Sequence, residues 1–269
     1  MTKNPKVSII MGVYNCAPTL ARSVESLISQ TFTDWELIMC DDGSQDDSYT
    51  IARQLQQKLP AKIIVLKNEK NLGSNATLNH CLTHATGKYI ALQDADDVSL
   101  PERLQLEVDF LDQHPDYAVV SGGMARFDEN GIWASAFEIE YPTMKNIFFG
   151  APFCHPAAMM RKQALAEIGN YSVAPQLLRV EDYHLWYKFY RAGFKGHNLQ
   201  QTIYVYADDQ SAYQRRNFRN RLNETNLKRL IIKEQKYPLY YHLYALRPLL
   251  VGLLPASIYH FFRRRRLQS

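Results

Sequence analysis

The chain has 269 residues, 46% of them hydrophobic, so it is long enough to bury the core of a large soluble α/β domain. Its four cysteines are widely spaced and form no CxxC pair, which indicates reduced, buried thiols in a cytosolic protein. The net charge of +4 divides unevenly, because residues 215–269 carry a local charge of +11 and the preceding residues carry −7. This division predicts an acidic body with a basic tail that meets an anionic surface, either lipid or nucleic acid.

The predicted elements alternate between strands and helices. Residues 1–6 are polar and predict no signal segment, so we expect the active site on the cytosolic side. Strands are predicted at 7–13, 35–40, 61–66 and 89–92, with helices from 19, over 46–58 and over 75–85. This alternation predicts βαβ units in a mostly parallel sheet with helices on both faces. Further on, the pattern predicts a helix over 101–114, a strand at 118–120 and a hairpin or loop over 124–142.

Polar side chains follow several predicted strands at their carboxyl ends. Asn15 follows the first strand, Asp42 the second, and Asp94, Asp96 and Asp97 the fourth. In an open α/β sheet the ligand crevice lies outside these ends of the strands. Because carboxylates prefer hard cations such as Mg²⁺ or Mn²⁺, the pattern favours a metal-bound nucleotide diphosphate. Acidic turns also cap helices, and Asp97 or Ser99 fits that alternative.

Short motifs follow one another in a fixed order over roughly residues 5–210. They are Val7-Ser8-Ile9-Ile10, Tyr14-Asn15, Ser29-Gln30-Thr31, Trp35-Glu36-Leu37-Ile38, Asp41-Asp42-Gly43-Ser44, Asn71-Leu72-Gly73, Asp94-Ala95-Asp96-Asp97, Arg161, Gly169-Asn170-Tyr171 and Glu181-Asp182-Tyr183-His184-Leu185-Trp186. In this order and spacing the chain resembles the family 2 glycosyltransferases, which have the GT-A fold. The resemblance implies an α/β protein with a Rossmann-like, mostly parallel central sheet flanked by helices, followed here by a helical, basic C-terminal tail.

The resemblance also implies a set of donor-binding residues. Those expected to bind the nucleotide are Val13, Tyr14, Asn15, Asp42, Gly73 and Asp94. Asp42 is expected to read the uracil edge, and Asp94 to lie near the ribose. Asp96 is similar to the second Asp of the family's DxD motif, which binds Mn²⁺ or Mg²⁺ between the two phosphates.

The acceptor side is expected in the second half of the chain. Asp182 resembles the family's general base, and Glu181 is expected to position the acceptor. The alternative is that both carboxylates simply begin a helix, where the helix dipole favours negative charge. His155 matches a loop histidine near the acceptor, or it is a structural histidine. Trp186 is expected either to stack on an acceptor sugar or to pack in the core.

Two departures from the family pattern concern positive charge and metal ligands. The segment Thr77-Leu78-Asn79 replaces the usual Ala-Arg-Asn, so an arginine on the phosphate side is missing. The segment 206–209, Tyr-Ala-Asp-Asp, replaces the usual Tyr-Arg-x-His, so a histidine is missing as well. Asp208 or Asp209 could replace that ligand, or both are solvated turn residues. The third protein ligand of the metal is therefore left open.

The chain is expected to divide near residue 215. We expect a GT-A catalytic domain over 1–214, with a nucleotide-sugar half over about 1–100 and an acceptor half over 101–214, and a helical region over 215–269. The apolar stretch 249–258 is far shorter than the roughly 20 residues of a membrane span. Apolar and aromatic residues next to Arg263–Arg266 predict an anchor on anionic lipid. The alternative is a tail that packs on the catalytic domain or on a second subunit, which leaves a homodimer open.

With these features, the resemblance implies an inverting, metal-dependent glycosyltransferase. It would transfer one sugar from a nucleotide-sugar, expected to be a UDP-sugar, to a lipid-linked oligosaccharide during bacterial surface polysaccharide assembly. It would act at the cytoplasmic face of the inner membrane as a peripheral protein, without binding nucleic acid. Two alternatives are a sugar-nucleotide nucleotidyltransferase, for which the Gly-rich basic loop is missing, and a non-catalytic scaffold with a decayed transferase fold.

Overall fold

A computed structural model describes residues 4–128, 131–207 and 218–252. The strands are β1 Val7–Val13, β2 Trp35–Asp41, β3 Ile63–Lys67, β4 Tyr89–Leu92, β5 Val98–Ser99, β6 Tyr117–Asp128, β7 Gly131–Ala136, β8 Met159–Arg161 and β9 Lys195–Ala207. The helices are α1 Ala17–Ile28, α2 Ser48–Lys58, α3 Ser74–His84, α4 Arg103–Gln113, α5 Met144–Phe149, α6 Lys162–Glu167, α7 Glu181–Arg191, α8 Phe218–Gln235, α9 Tyr241–Ala245 and α10 Arg247–Gly252. Short 3₁₀ turns lie at His155–Ala157 and Pro175–Leu177.

One mixed sheet organises the protein, with strand order β3-β2-β1-β4-β8-β6-β9-β5, and β7 pairs with β6. The first four strands of this order are parallel to one another. Strand β8 is antiparallel to both of its neighbours, whereas β6 and β9 are parallel. The prediction of an α/β fold with a mostly parallel sheet is confirmed. Because β1 and β2 run in register from Val7 opposite Trp35 to Val13 opposite Asp41, their carboxyl ends lie side by side.

The sequence of β1 explains why helices cover both faces of the sheet. Successive side chains of a strand point to opposite faces. Ile9 and Met11 pack in one core cluster, and Ile10 packs in the other. A strand that is buried on both faces is a nearly continuous apolar run, as β1 is. The two cores therefore fix the strand, and with it the position of the polar residues that follow it.

Helix α8 packs in the same core as helices α5 and α7. Its residues Leu227 and Ile231 are buried in one cluster with Phe148 of α5 and Trp186 of α7. The amine of Lys228 donates a hydrogen bond of 2.7 Å to the carbonyl oxygen of Phe148. The first part of the predicted tail is thus a packed helix. The predicted domain boundary remains a prediction, and the apolar and arginine-rich end, residues 253–269, lies outside the described residues.

None of the helices in the described ranges is both long enough and apolar enough to cross a bilayer. The four cysteines are free, as predicted, and Cys40, Cys81 and Cys154 are buried.

Candidate active site

A cavity of about 540 Å³ contains five of the predicted site residues. These are Asp94, Asp96, His155, Glu181 and Asp182. They come from three places in the chain: the turn after β4, a 3₁₀ turn and the first turn of α7. The sheet therefore brings together the two carboxylate motifs that the sequence placed almost ninety residues apart. The carboxylates and the surrounding polar residues make this cavity the candidate active site.

The acidic turn after β4 is held by the side chain of Gln93. Its amide nitrogen donates hydrogen bonds to the carbonyl oxygens of Asp94, at 3.2 Å, and Asp97, at 3.1 Å. The hydroxyl of Ser23 on α1 also donates to the carbonyl oxygen of Asp94, at 2.8 Å. These bonds fix the backbone of the turn from inside the protein. The side chains of Asp94 and Asp96 are consequently left on the solvent side.

Arg103 lies fully buried behind the same turn. Its guanidinium donates to the carbonyl oxygen of Leu92 at 2.8 Å, to the hydroxyl of Ser99 at 2.8 Å and to the amide oxygen of Gln93 at 3.1 Å. It also forms an ion pair of 3.2 Å with the equally buried Glu107. The positive charge of Arg103 lowers the pKa of Asp94 against the larger effects that raise it. The guanidinium thus both ties the turn to α4 and offsets its negative charge.

The carboxylates of the turn fit a hard divalent cation. One oxygen from each of Asp94, Asp96 and Asp97 lies within 4.8 Å of the others. Asp94 and Asp96 are exposed. Desolvation by the surrounding protein, followed by the negative charge of Asp96, raises the pKa of Asp94 to about 7. An all-oxygen donor set of this kind suits Mg²⁺ or Mn²⁺, which also favour the ionised carboxylate.

Asp97 has a structural place in this turn. It is buried, and its Oδ1 accepts a hydrogen bond of 2.7 Å from the backbone nitrogen of Ala207 on β9. Burial, followed by the charges of Asp94 and Asp96, raises the pKa of Asp97 to about 9. The alternative that Asp97 caps the next helix is wrong, because α4 begins at Arg103.

Asp182 fits both roles considered for it, that of a general base and that of a residue that begins a helix. It lies in the first turn of α7, where its Oδ1 accepts a hydrogen bond of 2.7 Å from the backbone nitrogen of Tyr183. It also lines the cavity. Burial raises the pKa of Asp182, which makes the carboxylate a stronger base than a solvated aspartate. The residue can therefore begin a helix and still accept a proton in the cavity.

His155 and Trp186 differ in their access to the cavity. The Nε2 atom of His155 lies 3.1 Å from the hydroxyl of Tyr171. Burial lowers the pKa of His155 to about 4, so its ring is neutral at pH 7. Trp186 is fully buried and packs edge-on against Phe153, with ring centroids 5.0 Å apart. The prediction that Trp186 stacks on an acceptor sugar is therefore wrong here, because no face of its ring is open.

Of the expected nucleotide-binding residues, Asp94 lines this cavity, whereas the other five lie outside its lining, near the ends of β1 and β2 and in the turn before α3. Val13, which was expected to bind the nucleotide, is fully buried in the core, so the prediction that it contacts the nucleotide is wrong in this structure. Tyr14 is exposed. Asn15 has a left-handed backbone, with φ 48°, and its Oδ1 accepts a hydrogen bond of 2.8 Å from the backbone nitrogen of Gln45. This bond joins the loops that follow β1 and β2.

Asp42 is only 4% exposed and holds the turn before α3. Its Oδ1 accepts hydrogen bonds from the side chain of Asn68, at 2.9 Å, and the backbone nitrogen of Leu72, at 2.8 Å. Its Oδ2 accepts one from the backbone nitrogen of Gly73, at 2.9 Å. Gly73 has φ 89°, a conformation that favours glycine. A carboxylate accepts about four hydrogen bonds, so this arrangement leaves capacity for one more donor.

The cavity also has lining residues that sequence reasoning missed. They are Ser74, Asn75, Pro156, Arg179, Tyr206, Ala207, Asn220, Arg221 and Glu224. Arg179 lies two residues before Glu181, and three of the others lie on α8, beyond the motifs of the resemblance. No sequence signal singled out Arg179 or Arg221, because both lie outside the motifs of the resemblance. Asp208 and Asp209, the suggested replacement ligands, lie outside the described residues.

The chain matches a known sequence family over more than half of its length. Residues 8–169 match the family described as Glycosyl transferase family 2. The chain is 40% identical over 269 residues to the putative glycosyltransferase EpsE of Bacillus subtilis strain 168, covering 100% of this chain and 97% of that protein. It is 31% identical over 211 residues to WfaP of Escherichia coli, which covers 77% of this chain and 80% of that protein. WfaP is named a UDP-Glc:alpha-D-GlcNAc-diphosphoundecaprenol beta-1,3-glucosyltransferase.

A solved structure has the same fold. The mannosyltransferase PcManGT from Pyrobaculum calidifontis, in complex with GDP-Man and Mn²⁺, aligns with a TM-score of 0.67 at 18% sequence identity. The alignment covers 100% of this chain and 82% of that protein. At this identity the likeness bears on the fold alone, whereas the family match and the identity to EpsE bear on membership. The chain therefore belongs to the family 2 glycosyltransferases and has the GT-A fold.

Proposed function

We propose that this glycosyltransferase moves a sugar from a UDP-sugar to a hydroxyl group of a lipid-linked saccharide in surface polysaccharide assembly, with inversion at the anomeric carbon. The observation that carries the proposal is the position of Asp96 and Asp182 in one cavity, on two separate elements. This arrangement suits a reaction that needs a metal-bound leaving group and a base for the incoming hydroxyl. The name of WfaP supports a UDP-sugar donor and a lipid diphosphate acceptor.

The residues supply the parts of a single displacement. Asp182 takes the proton of the acceptor hydroxyl as its oxygen bonds to the anomeric carbon and the bond from that carbon to the diphosphate breaks. Asp96, with Asp94 beside it, would hold Mn²⁺ or Mg²⁺. When bound, the cation supplies charge that stabilises the leaving nucleoside diphosphate. Neutral His155 and the carboxylate of Glu181, which line the same cavity, would orient the acceptor by hydrogen bonds.

The uridine would lie along the ends of β1 and β2. Tyr14 offers an exposed ring on which a base can stack, and Asp42 has capacity for one further donor such as the uracil N3–H group. Asn15 and Gly73 would shape the same pocket through their backbone. Attachment to the cytoplasmic face of a membrane would bring the acceptor to the enzyme. Exposed Leu239 and Leu243 near the C-terminal end of the described region support that attachment.

The test is a panel of UDP-, GDP- and dTDP-sugars, each measured for binding and transfer with Mn²⁺ or Mg²⁺. We expect one UDP-sugar to bind only with the cation present. A wild-type protein that binds no nucleotide-sugar in the presence of either cation would instead support the non-catalytic scaffold. Binding of GDP- or dTDP-sugars alone would contradict the uridine assignment and leave the transferase reaction in place.

Replacing Asp96 with Ala should weaken the binding of Mn²⁺ in the presence of UDP by more than about tenfold, because a ligand carboxylate is lost. Titration calorimetry with UDP and Mn²⁺ measures this effect without relying on turnover. Asp109→Ala is the matched control, since Asp109 is an exposed carboxylate on α4. Equal Mn²⁺ affinity in the wild type and Asp96→Ala would show that the cation is held elsewhere.

A further inference from the structure

Two guanidinium groups line the candidate active site together with the carboxylates. Arg179 lies three residues before Asp182, and Arg221 lies in the first turn of α8. Neither belongs to the acidic turn after β4, where the donor diphosphate and its cation are expected. The cavity thus contains two positive charges that come from the second half of the sequence, as the proposed base Asp182 does.

Neighbouring structure holds Arg221 in place and joins its helix to the segment that contains the exposed Arg179. Arg221 has a side chain only 15% exposed, and its Nη1 lies 3.8 Å from Oε2 of Glu224. Its aliphatic part packs against Gly252 of α10, where an added Cβ would lie 3.2 Å from the Arg221 Cγ. The amide nitrogen of Asn223 on α8 donates a hydrogen bond of 3.0 Å to the carbonyl oxygen of Leu178. This bond joins α8 to the segment that contains Arg179.

Large apolar side chains flank both arginines in the sequence. Leu178 is 51% exposed beside Arg179, and Leu222 is 40% exposed beside Arg221. Phe218, one turn earlier on α8, is 61% exposed. Clustered exposed apolar groups commonly mark a binding surface. Guanidinium groups bind phosphate oxygens in bidentate geometry, so this surface offers ligands for a diphosphate and for a hydrocarbon chain together.

We propose that Arg179 and Arg221 bind the diphosphate of the lipid-linked acceptor, while Leu178, Phe218 and Leu222 contact the beginning of its hydrocarbon chain. This inference rests on the proposed function, and it specifies the acceptor as one sugar on a lipid diphosphate. In such an acceptor the reacting hydroxyl and the diphosphate are attached to the same sugar ring. When the hydroxyl reaches Asp182, the diphosphate must therefore lie close by, within the same cavity.

The test compares two acceptors that contain the same sugar. One carries a diphosphate and an alkyl chain, and the other is the alkyl glycoside without phosphate. The variants Arg179→Gln and Arg221→Gln should each raise the KM for the diphosphate acceptor about ten- to a hundredfold, because a charged hydrogen bond is lost. The KM for the donor and the KM for the alkyl glycoside should stay within about twofold of the wild type. Arg221→Lys keeps the charge but loses the planar fork, and should give an intermediate KM.

Arg229→Gln is the matched control, since Arg229 is exposed two turns further along α8. A rise in the donor KM instead of the acceptor KM would assign the arginines to the donor diphosphate and overturn the proposal. Equal effects on both acceptors would overturn it as well, because the effect would then not depend on phosphate. Transfer by the wild type to water alone, with neither acceptor used, would refute the lipid-linked acceptor itself. Wild-type preference for the diphosphate acceptor with unchanged variants would refute only the role of the two arginines.

Discussion

Replacing Asp182 with Asn is expected to slow sugar transfer by about a hundred- to ten-thousandfold, while the donor still binds. The amide has the same shape as the carboxylate but cannot take the proton of the acceptor hydroxyl. Its oxygen can still accept the hydrogen bond from the backbone nitrogen of Tyr183, so the start of α7 should be preserved. Single-turnover transfer, measured beside calorimetric binding of the UDP-sugar, separates the loss of chemistry from a loss of binding.

The pH profile provides a second measurement on the same residue. Burial raises the pKa of Asp182, and the base works only when it is ionised. The rate should therefore fall as the pH is lowered, and this fall should lie above the pKa of about 3.9 of a solvated aspartate. Asp182→Glu should keep an acid limb, whereas the residual rate of Asp182→Asn should lose it. An unchanged acid limb in Asp182→Asn would assign the base to another group.

The first half of the fold was predictable because local patterns and tertiary structure agree there. The apolar runs of β1 to β4 alternate with helices, and most of their predicted bounds lie within two residues of those in the structure. The second half was harder to predict. Strand β6 extends to Asp128, well beyond the predicted strand at 118–120. The prediction stopped short because Ser121-Gly122-Gly123 interrupts the apolar pattern of the strand. Strand β9 contains polar residues such as Gln200 and Gln201, and its pairing with β6 is a long-range contact that periodicity does not report.

In the candidate site, too, only part of the residue positions could be predicted from the sequence. The carboxylates Asp96 and Asp182 were predictable, because motif and position on the sheet both point to them. Val13 and Trp186 were assigned contacts with substrates, yet burial on the core side of their elements decides their position. Arg221 lies on an 18-residue helix with several other cations, and only the docking of that helix selects which one lines the cavity. Contacts of this kind depend on the assembled fold.

Replacing Arg103 with Met is expected to lower the free energy of unfolding by about 3–5 kcal/mol, because it leaves Glu107 buried without its ion-pair partner. Arg103 and Glu107 both have fully buried side chains, and Oε1 of Glu107 has no hydrogen-bond partner among the described residues. The substitution also removes the donors to Leu92, Ser99 and Gln93 behind the acidic turn. Urea unfolding at pH 7.5 measures the loss. The double variant Arg103→Met with Glu107→Leu should recover a large part of it, since no unpaired charge remains.

The dependence of this loss on pH follows from the same pair. Burial raises the pKa of Glu107 to about 7 in the folded protein, against a usual value of about 4.3. A carboxyl group with a raised pKa favours the folded state below its unfolded value, and this contribution disappears as the pH rises through the folded value. Removing Arg103 takes away the nearby charge that lowers this pKa, so it should rise further. The loss in free energy of unfolding caused by Arg103→Met should therefore be smaller at pH 5 than at pH 8. An equal loss at both pH values would mean that lost packing, and not the unpaired carboxylate, destabilises the variant.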